Sequence, residues 1–201
     1  MFVRPLLLLM VCFGAAAEPP ASAKSLPSQI VSGVSRAAVL RAEFTQTKTI
    51  AALTRPLVTS GRFVYVRGSG LLWTIDQPYR AVYVLSDNGI SEVGQARGPG
   101  PGTGLQHVSR IFRALFEPDV ALLEQYFATT ATGDAARWDL TLTPQQSALR
   151  QVFKVLHVRG ARFVEDVSFD EANGDTTQIS FRNTREAAVP QEEELRLLRQ
   201  K

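Results

Sequence analysis

The residues able to do chemistry are few and badly spaced for it. His107 and His157 are the only histidines, and Cys12 is the only cysteine. Zinc sites of the usual type need three or four convergent His, Cys or carboxylate ligands, so no metal site is expected here. Ser69 in "RGSGL" lacks the glycine pattern of a G-x-S-x-G elbow. An esterase reading would therefore have to rest on Ser69 with a distant His157. "GPGPGTG" (98–104) resembles a phosphate loop only superficially, since its prolines carry no N–H donor and no G-K-[ST] follows. "DEANGD" (170–175) mimics a calcium loop but puts Ala172 and Gly174 where the third and fifth ligands belong, so it reads as a turn. With neither a nucleophile–base pair nor a metal or cofactor motif, binding is a better expectation than catalysis.

The remaining features bound the compartment and the fold. The chain has 201 residues and a formal charge of +3, with cationic and acidic residues interspersed. That length fits one domain with a sizeable core. The even mixing of charge argues against a nucleic-acid partner, which calls for a clustered basic face. "MFVRPLLLLMVCFGAAAEPPASAK" has a basic start at Arg4, a short apolar run and two A-x-A-like triplets. It has the parts of a secretory signal over residues 1–23, cleaved after Ala17 or Ala23. Val11 precedes Cys12, where a lipid-anchored precursor would place a small residue. The expected product is a soluble periplasmic protein of residues 24–201, without a thiol, disulfide or lipid anchor.

Periodicity then orders the elements. A helix capped by Ser25 or Ser28 carries Ile30, Val31, Val34, Ala38 and Val39 on one stripe. From Leu40 the period drops to two, giving a strand to about residue 50. "LTRPLVTSG" (53–61) reads as a loop broken by Pro56 and Gly61. Strands follow at 62–67, 71–76, 80–86 and 90–93, with Asn88-Gly89 as a hairpin turn. A glycine- and proline-rich linker leads to two apolar helices over about 105–128. The first carries Val108, Ile111, Phe112, Leu115 and Phe116; the second carries Val120, Leu122, Leu123, Tyr126 and Phe127. Strands resume at 137–144, 150–160, 162–171 and 176–183, with a turn at Asn173-Gly174, and the charged tail reads as a frayed helix. About eight antiparallel strands must curl, since twisted sheets of that size rarely stay flat. Amphipathic helices then cover the concave side, over either a packed core or an apolar cavity.

Four motifs in this order, "FTQ" (44–46), "RGSGLLW" (67–73), "QP" (77–78) and "SDNG" (86–89), resemble the LolA family of periplasmic outer-membrane lipoprotein carriers. The resemblance extends from Ser25 to about Asn183. It implies a mainly β fold, an incomplete antiparallel barrel of about eleven strands with an α-helical lid over an apolar cavity. It also implies a monomeric, non-enzymatic carrier with no cofactor. Such a carrier takes an acylated lipoprotein from an inner-membrane ATP-driven release complex to an outer-membrane receptor of similar fold.

By the resemblance, Arg67 is a lid latch that bonds lid backbone carbonyls. Strand parity and family position together nominate Phe44, Phe63, Tyr65, Leu71, Trp73, Tyr83 and Leu85 as cavity-lining, acyl-binding residues. Ile111, Phe112, Leu115, Leu122 and Leu123 are the lid's contribution. Gly68 stands where a proline often follows the family's arginine, and the tail "AAVPQEEELRLLRQK" replaces the family's last strand. A LolA-like paralogue serving another lipid, such as an acylated pigment or glycolipid, is the alternative. A ligand-free structural or interaction module with a solid core is the alternative from a different class.

Overall fold

The structure is a computed structural model that describes residues 25–86, 89–94, 115–116 and 120–199. The expected signal segment, His107, Ile111, Phe112 and most of the first lid helix lie outside these residues. A short helix, α1 (Leu26–Gly33), opens the fold, with Pro27 in its first turn. Ser25 is its cap: its Oγ accepts the Ser28 N–H at 3.4 Å. The helix stops earlier than its apolar spacing predicts. Val34 is already extended, and Val39 opens a strand in which its β-branched side chain is buried.

Ten antiparallel strands form one sheet: β1 (Val39–Thr49), β2 (Leu57–Val66), β3 (Gly70–Gln77), β4 (Ala81–Ser86), β5 (Gly89–Glu92), β6 (Phe127–Gly133), β7 (Trp138–Pro144), β8 (Phe153–Gly160), β9 (Val164–Glu171) and β10 (Thr176–Ala187). Helices α2 (Val120–Tyr126), α3 (Ser147–Arg150) and α4 (Glu192–Arg199) follow in chain order. The strand order is β5-β4-β3-β2-β1-β10-β9-β8-β7-β6. The first and last strands of the order do not pair with each other, so the sheet is a curled, incomplete barrel rather than a closed one. The long connection from β5 to β6 holds the helical residues, while β10 returns to zip the two halves together along β1.

Three local expectations are corrected. Residues 57–61 are not loop: β2 begins at Leu57, paired to Lys48, and Gly61 lies inside it at a register irregularity. No side chain fits there, because a Cβ on Gly61 would come within 1.9 Å of the Thr74 carbonyl oxygen. The second apolar helix ends at Tyr126, and "FATTATG" is strand β6, paired along its whole length to β7. Its threonines favour an extended ladder, and β7 supplies one. The C-terminal helix is docked rather than frayed. Leu198 and Glu194 are buried, Glu194 takes both an N–H of Arg41 Nε at 2.6 Å and one of Nη2 at 2.7 Å, and the Gln191 N–H bonds the same carboxylate at 2.6 Å. The expected turn at Asn173-Gly174 is present between β9 and β10, with Gly174 at φ +93°.

The sheet separates two apolar layers. The larger one gathers alternate residues of every strand on the concave face, joined by Ile30 and Val34 at α1, by Leu115 and Phe116, and by Leu123 of α2. The smaller one lies on the outer face, where Val39, Val66, Leu72 and Val84 meet Leu198 of α4.

Candidate functional site

The concave face is built by strand alternation, which sends every second side chain to the same side. In β1 these are Leu40, Ala42 and Phe44; in β2 they are Phe63 and Tyr65. Register aligns them across strands. Phe63 faces Trp73, which faces Tyr83; Tyr65 faces Leu71, which faces Leu85. The seven strand residues nominated from the sequence therefore share one surface. Six of them are buried, and Tyr83, next to the edge strand, is partly buried. Burial pushes the Tyr83 hydroxyl above its ordinary pKa, with Glu92 opposite it and Tyr79 nearby adding to the rise.

The centre of this face is aromatic. Phe44 lies over Trp73 with ring centroids 3.8 Å apart. Phe63 touches Phe116 at 4.5 Å and Phe181 at 5.2 Å. Phe116 also meets Phe181 at 5.6 Å and Tyr65 at 6.0 Å. Phe116 comes from the helical segment rather than from a strand, and it packs on the sheet face against rings of β2 and β10. Of the nominated lid residues, Leu115 and Leu123 are buried in the same cluster. Leu122 lies in α2 but its side chain is outside the described residues.

Two rings of this aromatic centre, Phe116 and Phe181, are not among the nominated residues. Phe116 stood on the predicted helix stripe, and Phe181 alternates with Ile179 in β10. The signal for Phe181 is its pairing with Phe44 across β1 and β10, a partnership 137 positions long in sequence that no local pattern reveals. In this conformer the nominated cavity residues pack against one another and against Phe116. A groove of about 690 Å³ lies on the other side of the sheet, beside α4, lined by Arg62, Val64, Leu72, Arg185 and Leu197 among others.

Arg67 does hold backbone carbonyls, but those of the connection between α1 and β1. Its Nε donates to the Ala37 oxygen and its Nη2 to the Ser35 oxygen, both at 3.3 Å. Its own backbone N–H reaches the Ala38 oxygen at 2.9 Å. The guanidinium carbon sits 5.7 Å from the centre of the Tyr65 ring, within cation–π range. The same connection is tied on its far side. The Ser35 N–H bonds the Arg162 oxygen at 2.9 Å, and Ser35 Oγ bonds Glu186, which also takes Arg162 Nη2 at 2.6 Å. The Ser35 and Arg162 hydrogen bonds hold the Glu186 carboxyl below its usual range.

Among the described residues, Ser69 and His157 do not meet. Ser69 lies in the exposed β2–β3 turn, whereas exposed His157 bonds Thr141 at 3.2 Å in β8, four strands away. Among the described residues no three His, Cys, Asp or Glu side chains are grouped to hold a metal. Also among them, no helix is long and apolar enough to cross a membrane.

An open antiparallel sheet, curled around an apolar face and met there by helices, is a half-barrel. The family comparison is specific: residues 17–167 match the family model LolA_3, described as outer membrane lipoprotein carrier protein LolA-like. The chain belongs to that family. No curated protein matches it. Solved structures resemble it at low identity. The MucA/MucB complex of Pseudomonas aeruginosa aligns at 11% identity over 84% of this chain and 60% of that chain, with a TM-score of 0.49. The LolA superfamily protein NE2245 of Nitrosomonas europaea aligns at 6% identity over 82% and 93%, with a TM-score of 0.44. A DUF1329 family protein of Desulfovibrio piger aligns at 9% identity over 83% and 92%, with a TM-score of 0.40. This chain thus spans 60% of the length of the MucA/MucB chain it matches.

Proposed function

We propose that this protein is a periplasmic carrier whose concave face takes up acyl chains, moving a lipoprotein from the inner to the outer membrane without catalysing a reaction. The observation that carries the reading is the source of Phe116. The aromatic floor belongs to strands, but its cover belongs to a helical segment reached through a glycine- and proline-rich connection. Withdrawing the cover leaves a ready-made hydrocarbon surface of Phe44, Phe63, Tyr65, Leu71, Trp73 and Leu85.

In this reading the protein works as its processed form, residues 24–201, with the segment from about 105 to Tyr126 as the lid. It loads from an inner-membrane ATP-driven complex and unloads to a receptor. Energetics favour a self-covered apo state. Each buried methylene contributes about 0.8 kcal/mol, so three long acyl chains would represent tens of kcal/mol. Net affinities saturate near ~18–21 kcal/mol, and delivery requires much less. Breaking aromatic contacts on loading offsets part of the gain. Arg67 contributes by fixing the α1–β1 connection, so the movable element it restrains is the α1 side of the cover. A different acylated lipid is the alternative cargo.

The close packing of the concave face also favours a second reading, a solid-core interaction module. Native mass spectrometry with lipid extraction, on protein isolated from the periplasm, separates the two. A co-purifying acylated species is expected. Protein free of lipid that also takes up no fluorescent fatty acid refutes the carrier reading.

A further inference from the structure

We propose that one end of the sheet, formed by the β1–β2 and β3–β4 connections, is a docking tip for the surface of an anionic lipid bilayer. The exposed large apolar side chains of the described residues are not scattered. Leu53, Leu57, Val58 and Tyr79 are each 50–56% exposed. Register puts them at the same end: Lys48 pairs with Leu57, Thr47 with Val58, and Ser60 with Gln77, two residues before Tyr79. Residues 51–56 of the hairpin are all exposed. A fifth exposed apolar side chain, Val189, follows β10 elsewhere.

Charge selects the occupant. Arg55 lies in the β1–β2 connection and Arg80 follows Tyr79; both are exposed, and neither has an ion-pair partner among the described residues. Three of the nearby acids are engaged with cations, while Glu92, opposite Tyr83, lies at the same end of the sheet. Lys48 Nζ holds Glu171 at 2.6 Å and Asp175 at 3.7 Å, and Arg62 pairs with Asp76 at 3.0 Å. Asp170 is exposed two strands further along. The result is a projecting apolar tip flanked by two exposed guanidiniums and an amphipathic tyrosine, the composition of an interfacial anchor. A stable protein interface needs about 20–30 residues a side, far more than this tip presents. A few apolar side chains and two cations fit weak, reversible adsorption to lipid.

The tip is distinct from the concave face, so its test is separable from the carrier reading. The protein, purified in the form in which it accumulates, is sedimented with vesicles of phosphatidylcholine alone or with about one-third phosphatidylglycerol. Binding to the anionic vesicles is expected, weakening with salt. Leu53→Asp should lower the partition coefficient at least about tenfold. Arg55→Gln and Arg80→Gln should each lower it about fivefold on anionic vesicles only. All three positions are exposed, so melting temperature should be unchanged, and fatty-acid uptake on the concave face should persist. The proposal is overturned if the unmodified protein fails to sediment with anionic vesicles, or binds both compositions equally. Undiminished binding by Leu53→Asp overturns it too, as does a photo-cross-linker at position 53 that captures a membrane protein while pure vesicles are ignored.

Discussion

Phe116→Ala and Phe181→Ala form a matched pair that distinguishes a removable cover from a permanent core. Both rings are nearly inaccessible, 4% and 3% exposed, and both belong to the cluster around Phe63. If the interior were uniformly solid, each truncation would cost about 3–5 kcal/mol, the usual range for a buried Phe→Ala change. Phe181 is in β10, the strand that joins the two halves of the sheet, so it should pay that full cost. Phe116 is different if its segment opens. Its contacts with Phe63, Tyr65 and Phe181 are each worth about 0.5–1.5 kcal/mol beyond area burial. The loss cannot exceed the free energy of closing the cover, which for a working lid is a few kcal/mol. Global stability should therefore fall by only about 1–2 kcal/mol in Phe116→Ala, because the covered state is depopulated before the sheet unfolds. Urea unfolding followed by far-UV circular dichroism measures both values, and binding of a fluorescent fatty acid reports the uncovered face. The expected pattern is a small stability loss with tighter probe binding for Phe116→Ala, and a large loss for Phe181→Ala. Equal losses with no gain in probe binding would refute the cover.

Arg67→Leu removes two 3.3 Å bonds to the Ser35 and Ala37 carbonyls. Bonds to a charged donor contribute about 1.5–3 kcal/mol together with their geometry, and these are long, so a loss near 1.5 kcal/mol is expected. Amide exchange should accelerate locally in α1 and residues 34–38, and uniform acceleration across the sheet would count against a local restraint. Glu194→Gln tests the docking of α4. Burial pushes the Glu194 carboxyl up, but the Arg41 and Gln191 hydrogen bonds outweigh it and leave the group below its ordinary value of 4.5. A carboxyl depressed on folding stabilises above its unfolded value and loses that contribution as pH falls through the lower, folded one. Wild-type stability should thus drop below about pH 4.5 more steeply than that of Glu194→Gln, as read from urea midpoints across pH. Parallel pH profiles would refute the assignment. Gly61→Ala forces a Cβ to within 1.9 Å of the Thr74 carbonyl oxygen, so a loss of at least about 1–3 kcal/mol is expected. An unchanged melting temperature would show that β2 can shift there.

Much of the fold was legible in local pattern because local forces set it. The period of two in Leu40–Phe44, the turn at Asn173-Gly174 and the Ser25 cap all depend on neighbours a few positions away. The strand residues proposed to line the site were legible for the same reason, since alternation alone assigns Phe63 and Tyr65 to one face. Pattern failed where a distant partner decided the outcome. Residues 57–60 became strand because β1 offered a ladder, and "FATTATG" did so because β7 did. The tail became a docked helix because Arg41, over 150 positions earlier, reaches Glu194. The LolA_3 match covers 17–167 and so leaves that tail outside it.

What the sequence by itself determined is the alternating, aromatic-rich surface, since side-chain type and strand parity need no third dimension. Only the tertiary structure decided that Phe116 fills that surface, that Phe181 completes it, and that Arg67 grips the α1–β1 connection. Each of those depends on which distant segments meet. That choice is made by burying the most apolar area at once across the whole chain, a sum that no short window contains.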